Sequence, residues 1–203
     1  MLDNMNALII GPGLGRSHTL RELILKIIDH NEHVPMLIDA DGLNNLSWQD
    51  ITRIKAPFVV TPHPGELSRL INKEVDEILK APLNLTRELS REITGVLVLK
   101  GAPTLIAHQG KVYINPVYDS ALATAGSGDV LSGIIGGLMG MGVNVPDAAL
   151  LGVYIHGEAG RIAGSKLTPY SVIAGDIMAN IHVVVDHIIQ GGIDGGIIRR
   201  GTQ

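Results

Sequence analysis

The sequence predicts an α/β fold in which helices pack on a mainly parallel central sheet. Along the 203 residues, short apolar segments bounded by Gly, Pro or Asp alternate with longer segments of helical periodicity, which is the pattern of βαβ units. The chain also contains 25 glycines and only 3% aromatic residues, a composition that suits closely packed layers of aliphatic side chains. One globular domain is therefore expected.

The individual elements follow from these apolar patterns. Strands are predicted at residues 7–10, 36–40, 58–61, 96–99, 104–107 and 112–115. Residues 102–115 form a predicted hairpin, because two β-branched runs flank the turn-like tripeptide His108-Gln109-Gly110. Helices are predicted at about 17–30, 46–54, 75–93, 127–141, 146–164 and 172–189, with another beginning near Pro64. Pro82 is expected to kink or restart the helix at 75–93.

Charge and composition disfavour several classes of partner. The chain carries 16 Lys and Arg against 20 Asp and Glu, a net charge of −4, without a basic block that could follow nucleic acid or an acidic membrane. The longest apolar stretch, residues 130–143, is interrupted by Ser132 and five glycines and is shorter than the ~20 residues of a membrane span. With no cysteine and no secretory signal pattern, we expect a cytoplasmic protein with neither nucleic-acid nor membrane partners.

The clearest chemical signal is Ala125-Gly126-Ser127-Gly128-Asp129, at the start of a predicted helix. Small residues let a ligand approach the backbone, and the unpaired N–H groups of a helix N-terminus bind phosphate oxygens. Asp129 would stand beside such a site, where a carboxylate can take a proton from a hydroxyl that attacks phosphorus. An ordinary capping Ser and a dipole-compensating Asp explain the same pattern, so the motif alone leaves both interpretations open.

The longer stretch of residues 122–136 resembles the anion-hole and catalytic-Asp signature of the ribokinase-like superfamily, specifically its NAD(P)H-hydrate dehydratase branch. Four other segments agree with that branch in the same order: Ile10-Gly11-Pro12-Gly13-Leu14-Gly15, Ile38-Asp39-Ala40-Asp41-Gly42-Leu43-Asn44, Thr61-Pro62-His63-Pro64-Gly65-Glu66 and Lys100-Gly101-Ala102-Pro103-Thr104. The Thr-Pro-His-Pro-Gly-Glu segment is the most discriminating, because sugar kinases of the superfamily generally lack it. The resemblance covers nearly the whole chain.

This resemblance implies a three-layer α/β/α domain over residues 1–190, followed by a Gly-rich flexible tail at 191–203. It implies dehydration of hydrated NADH or NADPH (NADHX, NADPHX) with Mg²⁺ and either ADP or ATP as phosphate donor. Asp129 would deprotonate the ring hydroxyl, which attacks the terminal phosphate, and elimination of phosphate would then restore the reduced nicotinamide. Relatives form symmetric oligomers, so a homo-oligomer is expected.

The resemblance also assigns site residues. Nucleotide binding is expected from Lys100, Gly101, Ala102, Pro103, Thr104, Gly126, Ser127 and Gly128. Substrate binding is expected from Gly13, Gly15, His63 and Asp129, with Asp129 as the catalytic residue. The alternatives are structural: the segment from Lys100 could simply begin a hairpin, and His63, held between two prolines, could cap local backbone.

Other polar residues are less decisive. Asp39 and Asp41 end a predicted strand and could support Mg²⁺ through water, but helix capping is the commoner role and we assign it to Asp39. Glu66 could cap its helix or help hold a metal–phosphate assembly. His156 lacks a partner at metal-ligand spacing on its helix, so we interpret it as structural or solvated.

The chain departs from the resembling family in two places. The Gly-Pro-Gly-Leu-Gly loop follows the first strand almost at the N-terminus, where full-length relatives have additional strands and helices, so a shortened domain is expected. Tyr118-Asp119-Ser120-Ala121 stands where relatives usually have a Gly-Asn pair, and a carboxylate at Asp119 would repel a nearby phosphate. Two competing functions therefore remain: a small-molecule kinase that uses the same anion hole, and a non-catalytic nucleotide-binding domain.

Overall fold

The computed structural model describes residues 4–191 and the pair Arg199–Arg200. Its strands are β1 Leu8–Ile10, β2 Met36–Ile38, β3 Phe58–Val60, β4 Val96–Leu99, β5 Thr104–His108, β6 Lys111–Asn115 and β7 Arg199–Arg200. Its helices are α1 His18–His30, α2 Ala40–Asn44, α3 Trp48–Thr52, α4 Pro64–Ile71, α5 Val75–Lys80, α6 Pro82–Glu92, α7 Ser127–Gly140, α8 Val145–Lys166 and α9 Ala174–Ile189, with a short 3-10 helix at Ser120–Leu122. The rest of the predicted Gly-rich tail lies outside the described residues.

The strands form one sheet in the order of the sequence, from β1 to β7. Strands β1 to β4 are parallel, because helical segments carry the chain back between consecutive strands of this set. The predicted hairpin adds β5 and β6 in antiparallel orientation, and β7 pairs with β6. The predicted α/β class with a parallel sheet at its centre is confirmed.

Helices cover both faces of the sheet, as a parallel sheet requires. On one face, Met36, Ile38 and Phe58 belong to a core that includes side chains of α1 to α6. On the other face, Leu37 and Val59 pack with α7 and α8. Each side chain removed from water contributes about 1.5–3 kcal/mol, so this alternation stabilises a three-layer α/β/α domain.

One element boundary was predicted wrongly, and one predicted alternative is decided by the structure. The second strand ends at Ile38 instead of continuing to residue 40, and the short helix α2 follows at once. In the predicted helix at 75–93, Pro82 restarts the helix and does not merely kink it, since α5 ends at Lys80 and α6 begins with Pro82 in its first turn. Proline has no backbone N–H and clashes with the preceding turn, which explains a break at this position.

The parallel arrangement brings the carboxyl ends of β1 to β4 to one edge of the sheet. The loops that follow these strands carry the Gly-rich segment 11–15, Asp39, His63 and Lys100. Open α/β sheets bind ligands at this edge. Among the described residues, no helix is both long and apolar enough to cross a membrane.

Gly11 sets how closely two of these loops approach. Its φ of +140° is rare for residues with a side chain, and a β-carbon built on it would lie 1.7 Å from the carbonyl oxygen of Asp39. Gly13 also has a positive φ, +72°, but a β-carbon there meets nothing within 4 Å. A side chain at Gly13 would therefore cause backbone strain alone, whereas a side chain at Gly11 would also collide with the Asp39 backbone.

We expect Gly11→Ala to lower the free energy of unfolding by about 3 kcal/mol or more, because one loop must move. Gly13→Ala, the matched control, is expected to cost only the conformational penalty of about 1–2 kcal/mol. Urea denaturation of both variants measures the difference. Equal destabilisation by the two variants would contradict the close approach at Gly11.

Candidate active site

A pocket of about 570 Å³ opens at the carboxyl edge of the sheet. Residues of the β4–β5 connection, the 3-10 helix, α7 and α8 form its walls. The residues that line it include Lys100, Gly101, Ala102, Thr104, Asn115, Val117, Tyr118, Asp119, Leu122, Ser127, Gly128, Leu131, Val153, His156 and Gly157, and His63 lies at the same wall as Lys100. Of the eight predicted nucleotide-binding residues, six line this pocket, whereas Pro103 and Gly126 do not.

The first turn of α7 presents free backbone donors to this pocket. Gly126 precedes the helix with φ +81°, a left-handed conformation that glycine adopts without steric cost. The N–H of Ser127 donates to the carbonyl of Thr124 at 3.2 Å. Those of Gly128 and Asp129 have no acceptor within the described part of the chain. An anion is therefore attracted to Gly128 and Asp129 by two unpaired N–H groups and by the helix dipole.

The Lys100 side chain lies beside this turn and is held by two carboxylates. Its Nζ lies 2.7 Å from Asp39 Oδ1 and 3.6 Å from Glu66 Oε2. Both acidic side chains are almost fully buried, at 1% and 6% exposure, while Lys100 retains 21%. The negative charges of Asp39 and Glu66 therefore balance the positive charge of Lys100 within the protein.

The assignment of Asp39 to a helix cap was wrong. Asp39 occupies the N-cap position of α2 but makes no side-chain capping bond. Its Oδ1 accepts from Lys100 Nζ, and its Oδ2 accepts from Ser132 Oγ of α7 at 2.8 Å. Sequence position alone suggested a cap, because the residues that contact Asp39 are 61 and 93 positions away.

His63 and Glu66 cap α4 reciprocally. His63 Nδ1 accepts from the N–H groups of Gly65 and Glu66, at 3.0 and 3.3 Å. Glu66 Oε2 accepts from the N–H of His63 at 2.8 Å. The capping alternative for both residues is thus observed, and it coexists with a position of His63 on the pocket wall. In the neutral ring the proton must be on Nε2, since Nδ1 accepts hydrogen bonds.

The family follows from comparison with known proteins. A family model described as NAD(P)H-hydrate dehydratase matches residues 1–182. The chain belongs to this family. The resemblance drawn from the sequence motifs is therefore confirmed.

Among characterised relatives of the dehydratase family, a bifunctional NAD(P)H-hydrate repair enzyme, Nnr, from Moorella thermoacetica is 40% identical over 202 residues. The match covers 95% of this chain and 38% of the relative. The chain thus spans well under half the length of that protein.

Solved structures of the family and superfamily agree. The ADP/ATP-dependent NAD(P)H-hydrate dehydratase of Bacillus subtilis, co-crystallised with ATP and Mg²⁺, superposes with a TM-score of 0.81 and 28% identity, covering 92% of this chain and 66% of that one. A ribokinase-like superfamily protein from Enterococcus faecalis gives a TM-score of 0.75 and 25% identity, covering 90% of this chain and 63% of that one. The ribokinase-like fold predicted for this chain is thereby confirmed.

At residues 118–121, where a departure from the family pattern is predicted, Asp119 has a local structural role. Asp119 precedes the 3-10 helix, and its Oδ1 accepts from the N–H of Ala121 at 2.9 Å. An amide oxygen of Asn, the residue expected in the family, can accept the same hydrogen bond. Asp119 also lines the pocket, so its negative charge faces a ligand that lies beside the 3-10 helix.

Of the four predicted substrate-binding residues, His63 lines this pocket, whereas Gly13, Gly15 and Asp129 do not. Asp129 is in the first turn of α7 and is exposed, and its side chain makes no hydrogen bond or salt bridge to the described residues. The N–H of Gly15 donates to Asp41 Oδ2 at 2.8 Å, which ties the Gly13–Gly15 loop to α2. Gly13 and Gly15 are exposed, with φ of +72° and +76°. Their roles in substrate binding remain predictions.

His156 is a site residue that the sequence did not reveal. It lies in α8, 9% exposed, and its Nε2 is 3.0 Å from both Oγ and O of Ser127. Burial lowers the pKa of His156 to about 4, a hydrogen bond with the Ser127 carbonyl opposes this shift, and the Lys100 charge adds to it. His156 is therefore neutral at pH 7 and packs against the start of α7, so of the two predicted roles, structural or solvated, the structure shows the structural one.

A lowered histidine pKa makes the folded state sensitive to acid. Between pH 6.5 and about 4 the unfolded chain binds a proton at His156 that the folded chain does not bind, so stability falls as the pH falls through this window. The shift corresponds to about 3 kcal/mol. We expect His156→Gln to flatten the loss of unfolding free energy between pH 7 and 4. His187→Gln, at an exposed position of α9, is the matched control.

Urea denaturation at several pH values measures this effect. A pH profile of His156→Gln that matches those of the wild type and His187→Gln would show that protonation of His156 does not drive acid destabilisation.

Proposed function

We propose that the chain catalyses the nucleotide-dependent dehydration of NADHX or NADPHX to NADH or NADPH. The observation that carries this proposal is the convergence of three groups at the start of α7. Lys100 and Gly128 line the pocket, Lys100 Nζ lies 3.5 Å from a β-carbon built on Gly128, and the exposed Asp129 follows Gly128 in the first turn of α7, where both residues have unpaired N–H groups. Phosphoryl transfer needs these parts: donors that stabilise charge on the transferred group, and a base for the attacking hydroxyl.

In the proposed reaction, the terminal phosphate of the nucleotide lies against the N–H groups of Gly128 and Asp129. Asp129 takes the proton of the ring hydroxyl as its oxygen forms a bond to phosphorus and the bond to the nucleotide breaks. The ring C–O bond then breaks, phosphate leaves with the electron pair, and a proton lost from the adjacent carbon restores the double bond. Asp129 suits the role of base, because its oxygens are not committed to other described residues.

His63 would present a hydrogen-bond donor to the hydrated nicotinamide. Its Nδ1 is committed to the backbone of α4, so Nε2–H is the part of the ring left for a ligand, with Glu66 Oε1 at 3.5 Å. A hydroxyl or carboxamide oxygen of the substrate can accept from such a donor. In this proposal the nicotinamide lies on the side of the site where α4 begins.

The donor set fits a Mg²⁺ ion that arrives with the nucleotide. No group of three metal-ligating side chains occurs among the described residues. Both oxygens of Asp39 and both of Glu66 already have polar neighbours. Mg²⁺ commonly keeps several waters and binds through one or two carboxylates plus substrate phosphates. The phosphates and waters would therefore supply most ligands of the ion, which would offset negative charge on the phosphates and leave Asp129 free to act as the base.

We propose that both ADP and ATP serve as phosphate donors. We also propose that the chain forms a homo-oligomer. The family relative from Bacillus subtilis is named as ADP/ATP-dependent, which supports both donors. Light scattering of the purified protein measures the number of copies in solution.

We expect Asp129→Asn to slow dehydration by about 10²–10⁴-fold, because the neutral amide cannot take the hydroxyl proton. The assay follows the absorbance of reduced nicotinamide regenerated from hydrated NADH with Mg²⁺ and either ADP or ATP. Nucleotide binding, measured by calorimetry, is expected to persist, since the backbone N–H groups remain.

Asp147→Asn is the matched control, because Asp147 has the same position in the first turn of α8 and is exposed. Full dehydratase activity of Asp129→Asn would contradict the assignment of Asp129 as the base. Accumulation of a phosphorylated product without NADH would instead identify a kinase, and nucleotide binding without turnover would identify a binding domain.

A further inference from the structure

Asp39 connects two parts of the site that are far apart in sequence. It follows β2, whereas Lys100 follows β4 and Ser132 lies in the second turn of α7. Each carboxylate oxygen of Asp39 accepts one short bond: Oδ1 from Lys100 Nζ at 2.7 Å and Oδ2 from Ser132 Oγ at 2.8 Å. With 1% exposure, this carboxylate has no access to bulk water. The Asp39 carboxylate thus holds both the Lys100 ammonium and helix α7 in position.

This connection lies directly under the proposed phosphate site. A β-carbon built on Gly128 would lie 3.5 Å from Lys100 Nζ and 3.8 Å from Asp39 Oδ2. The Gly128 backbone therefore lies close to both the ammonium and the carboxylate. Because Lys100 Nζ is in contact with Asp39, the carboxylate offsets part of the positive charge that a phosphate here would meet, and Glu66 lies 3.6 Å from the same ammonium.

We propose that Asp39 is a positioning residue that restrains Lys100 from moving onto the bound nucleotide, so that the ammonium acts mainly on the group being transferred. This inference rests on the proposed function for the identity of the anion. A cation that is free to follow the phosphate would strengthen ground-state binding. A cation held in place favours the transition state only where charge moves toward it, which raises turnover instead.

The proposal predicts opposite effects on binding and turnover. In Asp39→Asn the side chain keeps its shape and can still bond Lys100 and Ser132, but the opposing charge is gone. We expect ADP to bind threefold to tenfold more tightly, because the net charge next to the phosphates becomes more positive. Adenosine, which lacks phosphate, is expected to bind as in the wild type. With either phosphate donor, kcat is expected to fall tenfold or more.

A buried ion pair elsewhere in the fold provides the matched control. Asp50 lies 2.8 Å from Arg21, with 8% of its side chain exposed, and joins α1 to α3 away from the pocket. Asp50→Asn removes a comparable buried charge, so its loss of stability is expected to resemble that of Asp39→Asn. Because it does not touch the site, it should leave ADP affinity and kcat unchanged.

Calorimetric titration of wild type, Asp39→Asn, Ser132→Ala and Asp50→Asn with ADP and with adenosine decides the inference. Tighter ADP binding in Asp39→Asn with unchanged adenosine binding supports it, as does a smaller shift in the same direction in Ser132→Ala. Unchanged or weaker ADP binding in Asp39→Asn overturns it. If that variant does not fold, an unchanged ADP affinity in Ser132→Ala overturns it.

Measurement of kcat in the same variants separates this inference from the proposed function. A wild type that binds ADP but does not regenerate NADH would contradict the proposed function, while the binding shift would still support restraint of Lys100. An active wild type with undiminished kcat in folded Asp39→Asn would leave the proposed function intact and overturn the positioning role.

Discussion

The contact between the Lys100 ammonium and the buried Asp39 carboxylate is the interaction on which the site depends. It joins the ends of β2 and β4, across the intervening β3, at the edge where the parallel strands finish. Removing either charge alone would leave the other buried without its partner, a state that typically costs several kcal/mol. Ser132 extends the contact into α7, so the helix that supplies the anion-binding N–H groups is fixed to the same point.

The fold explains why these groups can meet without a long connecting loop. Helical connections return the chain between β1, β2, β3 and β4, so the residues after these four strands accumulate at one edge. Helices on both faces bury the strands, which leaves the strand ends as the accessible part of the sheet. Glycine at position 11 then lets the first loop come within contact of the Asp39 backbone. Packing and close approach together create a polar cluster with little exposure.

Much of the fold could be predicted from the sequence, because its signals are local. Apolar runs and turn residues located the strands, and the small residues before Asp129 located the start of α7. The break at Pro82 and the short helix α2 were harder, since five residues carry too little periodicity and a proline permits either a kink or a restart. The family motifs indicated that the loops after β1, β2, β3 and β4 would form the site together with the start of α7.

The contacts inside the site could not be predicted in the same way. Asp39 was assigned to a cap because a carboxylate after a strand commonly has that role, and nothing nearby in sequence indicates Lys100 or Ser132. His156 was assigned to a solvated or structural position for the same reason, since its partner Ser127 is 29 residues away. Such pairings arise from the register of strands and the packing of helices, which a single sequence does not specify.

The most direct test of the account is a crystal structure of the chain with Mg²⁺ and a non-hydrolysable ATP analogue. The account predicts the terminal phosphate within hydrogen-bond distance of the Gly128 N–H, the Asp129 carboxylate facing it, and Lys100 Nζ still in contact with Asp39. A terminal phosphate bound away from the start of α7 would contradict it.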